Sequence, residues 1–226
     1  MSRQLSAVVL AAFSVAVLAQ APGADINAPY KDPGLVVETW VERLEGEGRG
    51  AFDFRHQIVA ALDVQPGQSV ADVGAGTGLF EPLLAARVGT QGHVYAVDIV
   101  PKFIDYIRQQ AGERGLSQVT AVLGTEVSAE LAPASVDMVF VCDAYHHFED
   151  YDAMLQSIRQ ALRPGGRLVV FDFDRVEGKS DTFILEHIRA SKAQFTREIE
   201  ANGFTFDKDI TPEGMPDNFM YSFLRP

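Results

Sequence analysis

The stretch Val70-Ala71-Asp72-Val73-Gly74-Ala75-Gly76-Thr77-Gly78-Leu79-Phe80 limits the fold more than any other part of the sequence. A short apolar, strand-like run enters a glycine-rich turn, and a helix-forming run leaves it. Glycine lets the backbone take left-handed angles and lets a ligand approach where a Cβ would stand. In open, mostly parallel sheets such a turn lies beyond the carboxyl end of a strand, where ligands bind. Dinucleotide sites use G-x-G-x-x-G with a helix N-terminus facing the pyrophosphate. Here the pattern is G-x-G-x-G, and Leu79 stands where the third dinucleotide glycine belongs. Asp72 precedes the first glycine. A carboxylate there repels a pyrophosphate and suits a ligand carrying an ammonium or a sulfonium.

The rest of the chain keeps a strand–helix rhythm. Strands are expected at Ser69–Val73, His93–Val97, Val119–Leu123, Val136–Cys142 and Arg167–Phe173. Helices are expected between them at Leu79–Val88, Pro101–Arg114 and Tyr151–Leu162, from apolar residues at helical spacing and stops such as Gly115. Asp181–Asn202 reads as one long amphipathic helix through Ile184, Ile188, Phe195 and Ile199. Two runs, Phe204–Ile210 and Phe219–Leu224, then read as an antiparallel hairpin. Upstream, Leu35–Leu44 and Phe52–Leu62 are expected helices. This order argues for a doubly wound α/β sheet with helices on both faces.

Asp98 ends the second strand, in Val94-Tyr95-Ala96-Val97-Asp98. A carboxylate in that place can accept both ribose hydroxyls of an adenosine. The alternative is a helix N-cap, because Pro101 and a helix follow.

With these residues in view, the chain resembles a class I S-adenosylmethionine-dependent methyltransferase. Asp72 to Gly78 is similar to that family's first motif and Asp98 to its ribose-binding acid. Val136 to Asp143 resembles its fourth strand, and Leu162-Arg163-Pro164-Gly165-Gly166-Arg167-Leu168 its turn and fifth strand. The resemblance runs from about Phe52 to the C-terminus. It implies a Rossmann-like, seven-stranded sheet, mostly parallel with an antiparallel C-terminal strand. It also implies S-adenosyl-L-methionine as cofactor, held by Asp72, Gly74, Ala75, Gly76, Gly78, Asp98 and Ile99. The adenine amino group often meets an Asp after the third strand; here Thr125 and Glu126 stand in its place, with a surface role for Glu126 as the alternative.

The fourth strand runs into Cys142-Asp143-Ala144-Tyr145-His146-His147-Phe148, the loop expected to face the methyl acceptor. Asp143 is read as bonding either backbone or cofactor. Tyr145, His146 and His147 are the candidate catalytic groups, being acid–base material near neutral pH. His146 or His147 is the expected base if the acceptor arrives as a hydroxyl or ammonium. No metal site is expected: adjacent His rings diverge, and no other ligand cluster is near in sequence. The helix bearing His187, Arg189 and Lys192, with Asp172 to Arg175, is a candidate cover for the acceptor. Phe52–Leu62 and the segment with Arg49 and Arg55 are expected to form a lid, an Arg there meeting the donor's carboxylate.

The substrate class is narrowed by charge. A formal net charge of -12 without a basic run disfavours nucleic acid, which needs a basic face to displace counterions. The loop also lacks the two prolines of base-methylating enzymes of this fold. A single cysteine, Cys142, excludes an intramolecular disulfide and a thiolate metal site. The expected partner is therefore a small-molecule methyl acceptor. The alternatives are a donor-binding protein without transfer and, from the glycine loop alone, a nicotinamide-dependent oxidoreductase.

At the N-terminus, Arg3 precedes the apolar run Ala7–Leu18, and Ala19 follows. That run is about the length of a signal h-region and too short for a comfortable bilayer span. The organisation expected is a signal peptide over 1–19, a Pro/Gly/Asn linker over 20–34, and the methyltransferase-like domain with its lid helices over 35–226. The chain is accordingly expected to be exported, periplasmic or secreted, with no membrane span after cleavage; the alternatives are an uncleaved anchor, or an apolar helix packed on the domain of a cytoplasmic chain.

Overall fold

The computed structural model describes residues 25–215 and 217–226. The expected signal segment and the start of the linker lie outside the described residues. Among the described residues no helix is long and apolar enough to cross a membrane.

The sheet has seven strands: β1 (Ser69–Val73), β2 (His93–Asp98), β3 (Val119–Leu123), β4 (Val136–Cys142), β5 (Leu162–Phe173), β6 (Thr205–Asp209) and β7 (Asn218–Leu224). Their order is β3-β2-β1-β4-β5-β7-β6. Strands β1 to β5 pair in parallel, while β7 runs antiparallel to both β5 and β6. The Rossmann-like expectation holds, including the single reversed strand. The order reverses between β1 and β4. The ends of these strands and of β2 open one crevice, the place where such sheets bind ligands.

Side chains alternate between the sheet's two faces. One face buries Val70, Val94, Phe140 and Phe171 with α4 (Arg55–Ala61) and α5 (Glu81–Val88). There Phe80 meets Phe140 edge-on, ring centres 5.2 Å apart. The other face buries Ala71, Val139 and Val170 with α7 (Tyr151–Ala161), α8 (Thr182–His187) and α9 (Lys192–Ala201). Helix α6 (Pro101–Glu113) packs on β2 and β3 through Ile107.

Three sequence readings are corrected. The expected long helix over 181–202 is two helices. Asp181 caps α8 by accepting from the Ile184 N–H at 2.9 Å, Ile188 is extended, and Ser191 caps α9. The bend lets Arg189 fold back onto Glu198, two bonds at 2.9 and 2.7 Å. The expected helix over 52–62 breaks at Phe54 into α3 (Gly50–Asp53) and α4. Helix α4 is no lid: Ile58, Val59 and the following Leu62 are core residues on the sheet face.

The third correction concerns 20–34, whose described part is not a free linker. Asn27 precedes α1 (Ala28–Lys31), with Pro29 in its first turn, and α2 (Val37–Leu44) follows. Tyr30 packs tilted against Trp40, ring centres 4.5 Å apart, and Trp40 meets Phe103 of α6 edge-on at 5.9 Å. Lys102 Nζ donates to the carbonyls of Pro33 and Leu35 at 2.8 and 2.7 Å. Burying an aromatic ring such as Phe103 contributes roughly 1.5–3 kcal/mol. These contacts pin the segment across the mouth of the crevice.

Candidate active site

The glycine loop is shaped by two close approaches. A Cβ on Gly74 would lie 2.4 Å from the Ala144 Cβ, so only glycine lets the loop meet the end of β4. Gly76 has φ 57, and its N–H donates to Asp98 Oδ2 at 2.8 Å. Asp98 Oδ1 accepts from the Val100 N–H at 2.9 Å. Asp98 thus organises the turn into α6 and keeps a lone pair on each oxygen at the cavity wall. Burial raises its pKa to about 6, against the pull of those N–H groups.

Asp72 lies deeper. It is buried, and its Oδ1 has no hydrogen-bond partner among the described residues. Burial, then the charge of Asp98, pushes its pKa up to about 8. Behind it Glu81 is buried with neither oxygen partnered among the described residues, raised well above the carboxylate range by burial and by Asp72. A fold holds such acids at a cost; a cationic ligand beside Asp72 offsets it.

One cavity of about 1040 Å³, counting its open mouth, is lined by Asp72, Gly74, Ala75, Gly76, Asp98, Ile99, Thr125, Glu126, Asp143 and His147. Every expected cofactor residue is in it except Gly78. Gly78 instead turns the chain into α5 on the far side of the loop, beside Ile107 and Glu81. Glu126 lines the rim but pairs with Lys31 at 2.9 Å. Asp143 takes a left-handed backbone (φ 47) at the end of β4, a conformation that is rare outside glycine and is tolerated by Asp. Its Oδ2 accepts from Arg49 at 2.7 Å. Burial raises the Asp143 pKa, and Arg49 opposes the rise.

The roof comes from the N-terminal segment: Asn27, Tyr30, Leu44 and Arg49 line the cavity. Arg49 also donates to the Leu44 carbonyl at 2.7 Å. Arg55 is not at the cavity; it donates to the Phe52 carbonyl and lies over that ring. Asn27 and Tyr30 escaped the sequence reading because Pro, Gly and Asn there resemble a linker. The signal available was Asn27 followed by Pro29, a helix start.

The loop after β4 differs most from expectation. Tyr145 is fully buried and donates to Glu198 Oε2 at 3.2 Å. It does not line the cavity, and burial, then the charge of Glu198, raises its pKa. It is a packing residue, not a proton donor to a ligand. His146 is also buried and off the cavity wall, its Nδ1 2.7 Å from Asp172 Oδ1. His147 alone of the three lines the cavity, with its Nδ1 2.8 Å from Asn27 Oδ1. Asn27 Nδ2 donates to the His147 carbonyl and to Glu149, so Oδ1 is the accepting end and His147 Nδ1 the donor. Burial, then His146 and His187, drive the His147 pKa down. His187 falls to about 4 through burial and His146.

The expected divergence of the adjacent rings does not occur. The centres of His146 and His147 are 4.2 Å apart, and His187 stands 5.2 and 5.3 Å from them. The short helical turn over Tyr145–His147 swings both rings to one side.

Comparison with known proteins agrees with this geometry. Residues 71–170 match the sequence profile of a methyltransferase domain. Phosphoethanolamine N-methyltransferase 1 of Triticum aestivum is 26% identical over 86% of the chain and 39% of its own length. The chain spans about two fifths of the length of several such curated relatives. Malonyl-[acyl-carrier protein] O-methyltransferase of Methylococcus capsulatus is 29% identical over 79% of the chain and 72% of its own length. The crystal structure of a SAM dependent methyltransferase from Aquifex aeolicus shares the fold, with a TM-score of 0.74 at 20% identity, covering 85% of this chain and all of that one. The donor set fits as well: an unpartnered buried acid suits a cation, and Asp98 keeps acceptor capacity for a ribose. Sheet order, glycine loop, paired acids and profile converge: residues 71–170 match a methyltransferase domain, the chain has the fold of a SAM dependent methyltransferase, and the site fits S-adenosylmethionine as its cofactor.

Proposed function

We propose that the chain transfers a methyl group from S-adenosylmethionine to a small-molecule acceptor by in-line displacement. One observation carries the reading: a single cavity joins the acids Asp72 and Asp98 to the Asp143–His147 loop under a roof from the N-terminal segment. The bound cofactor supplies a methyl carbon already activated by its sulfonium. The chain's own task is then to orient the nucleophile and exclude water, and orientation alone can supply several kcal/mol of the barrier, up to about 7–11.

In this reading Asp98 takes the ribose and Asp72 the cationic end of the donor. The Arg49–Asp143 pair and Tyr30 close the near side. His147 faces the acceptor. Its depressed pKa makes it a weak base, so it does not carry off an ammonium proton. An acceptor that arrives already unprotonated or ionised suits this wall. The net charge of -12 supports a small molecule over a nucleic acid. Relatives that act on phosphoethanolamine and on malonyl-[acyl-carrier protein] set two acceptor classes to try, an amine and a carboxylate. Export rests on the composition of Ala7–Leu18; intact-mass analysis of the chain recovered outside the cytoplasm checks for a start at Gln20.

The test is production of S-adenosylhomocysteine over a panel of amines, carboxylates, thiols and phenols, with Asp98→Ala as control. Acceptor-dependent turnover that is lost in the variant supports transfer. Tight donor binding with no turnover across the panel would assign the chain to donor binding without transfer. Binding of a nicotinamide cofactor in place of S-adenosylmethionine would overturn both readings.

A further inference from the structure

We propose that His146, His147 and His187 form a three-nitrogen site for a divalent first-row transition ion, of which zinc is the best match. One ligating atom from each residue lies within 4.8 Å of the others. Tetrahedral zinc with Zn–N bonds of 2.0–2.1 Å wants nitrogens about 3.4 Å apart. His187, half-buried at the end of α8, has no side-chain hydrogen bond among the described residues, so its ring is the one that rotates to close that gap.

The supporting shell is what separates this cluster from three rings that merely pack. A ligating imidazole normally donates its other N–H to a carboxylate or carbonyl, which fixes the tautomer and aims the free nitrogen. Two of the three rings have this arrangement. His146 Nδ1 is 2.7 Å from Asp172 Oδ1, and Asp172 is fully buried and also accepts from the His146 backbone N–H at 3.1 Å. His147 Nδ1 donates to Asn27 Oδ1 at 2.8 Å. Both rings therefore present Nε2 as the lone pair. Phe183 stacks on His187 at 5.0 Å with planes 17° apart, and Phe173 lies edge-on to His146 at 6.2 Å, giving an apolar surround. Imidazoles without thiolates or a carboxylate in the primary set favour zinc-class ions over magnesium or calcium. Three protein ligands leave a fourth position for water or a small ligand. Because His147 also lines the donor cavity, the ion stands at that cavity's edge. The site rests on the rings and their partners, independently of the transfer reaction.

The chain has five histidines, so His56 and His93 serve as internal controls. Zinc affinity is measured on the full chain, without cofactor, by competition with a chromogenic chelator. The expected result is one zinc per chain at micromolar or tighter affinity. His187→Gln and His147→Gln should each weaken it at least tenfold, while His56→Gln and His93→Gln leave it unchanged. The cobalt-loaded protein should show the intense visible absorption of a tetrahedral site. Donor affinity within about threefold of wild type shows that His187→Gln is folded; if it is not, His147→Gln with native helix content decides. No saturable zinc binding by wild type, binding that survives both variants, or loss through His56 or His93 would overturn the site.

Discussion

The backbone N–H of Gly76 donates to Asp98 Oδ2 at 2.8 Å, so the glycine loop after β1 and the end of β2 are one unit. The same carboxylate is the ribose acceptor proposed above, which ties loop shape to donor affinity. Asp98→Ala removes both roles. Hydrogen bonds to a charged group are worth roughly 1.5–3 kcal/mol. Donor affinity should fall about 10–100-fold, measured by calorimetry, with little change in helix content.

Donor affinity should rise with pH. In the free protein Asp72 and Asp98 hold protons up to about pH 8 and 6. A sulfonium beside them favours the ionised forms, so binding expels protons and strengthens from pH 6 to 8. Titrations in two buffers of different ionisation heat should show net proton release. S-adenosylhomocysteine, which lacks the sulfonium but keeps the ammonium, should show a shallower rise; equal slopes for both ligands would refute the pairing of Asp72 with the sulfonium.

The free protein should lose stability over the same range. Asp72 is raised from an unfolded value near 3.9 to about 8. Between those values the unfolded chain has released the proton and the folded one has not, so stability falls as pH rises. Asp72→Asn removes that term. Its melting temperature should exceed wild type by roughly 2–4 °C or more at pH 8, one kcal/mol being worth about that much in a chain of this size. The margin should shrink toward pH 5, and donor affinity should drop.

Tyr145→Phe separates packing from catalysis. The hydroxyl donates to Glu198, which Arg189 already holds with two bonds. The expected cost is about 1 kcal/mol of stability in denaturant unfolding. Donor affinity should stay within about twofold, and acceptor turnover likewise; a hundredfold loss of turnover would restore Tyr145 as a catalytic group.

Much of this fold is legible in local pattern. Buried parallel strands such as Val136–Cys142 are nearly continuous apolar runs, and Gly115 and Pro101 mark the ends of α6. The glycine loop with Asp72 and Asp98 is legible because its function depends on backbone geometry near in sequence. What escaped depends on distant contacts. The break between α8 and α9 comes with the Arg189–Glu198 contact and the Ser191 cap, and periodicity continues smoothly across it. The Tyr145, His146 and His147 run gives candidate chemistry but not direction; a short helical turn and the buried partners Glu198 and Asp172 decide which ring reaches the cavity. His187 is far from them in sequence, so no spacing rule connects the three.

The bond from His147 to Asn27 makes position 27 a practical boundary for anyone preparing this protein. A shortened version beginning at Leu35, where composition alone places the domain edge, would retain every strand of the sheet. It would also lack Asn27 and Tyr30, leave the His147 ring free to rotate, and open the cavity to bulk water. Failure of such a preparation to act on any acceptor would reflect the cut, not the chemistry of the chain.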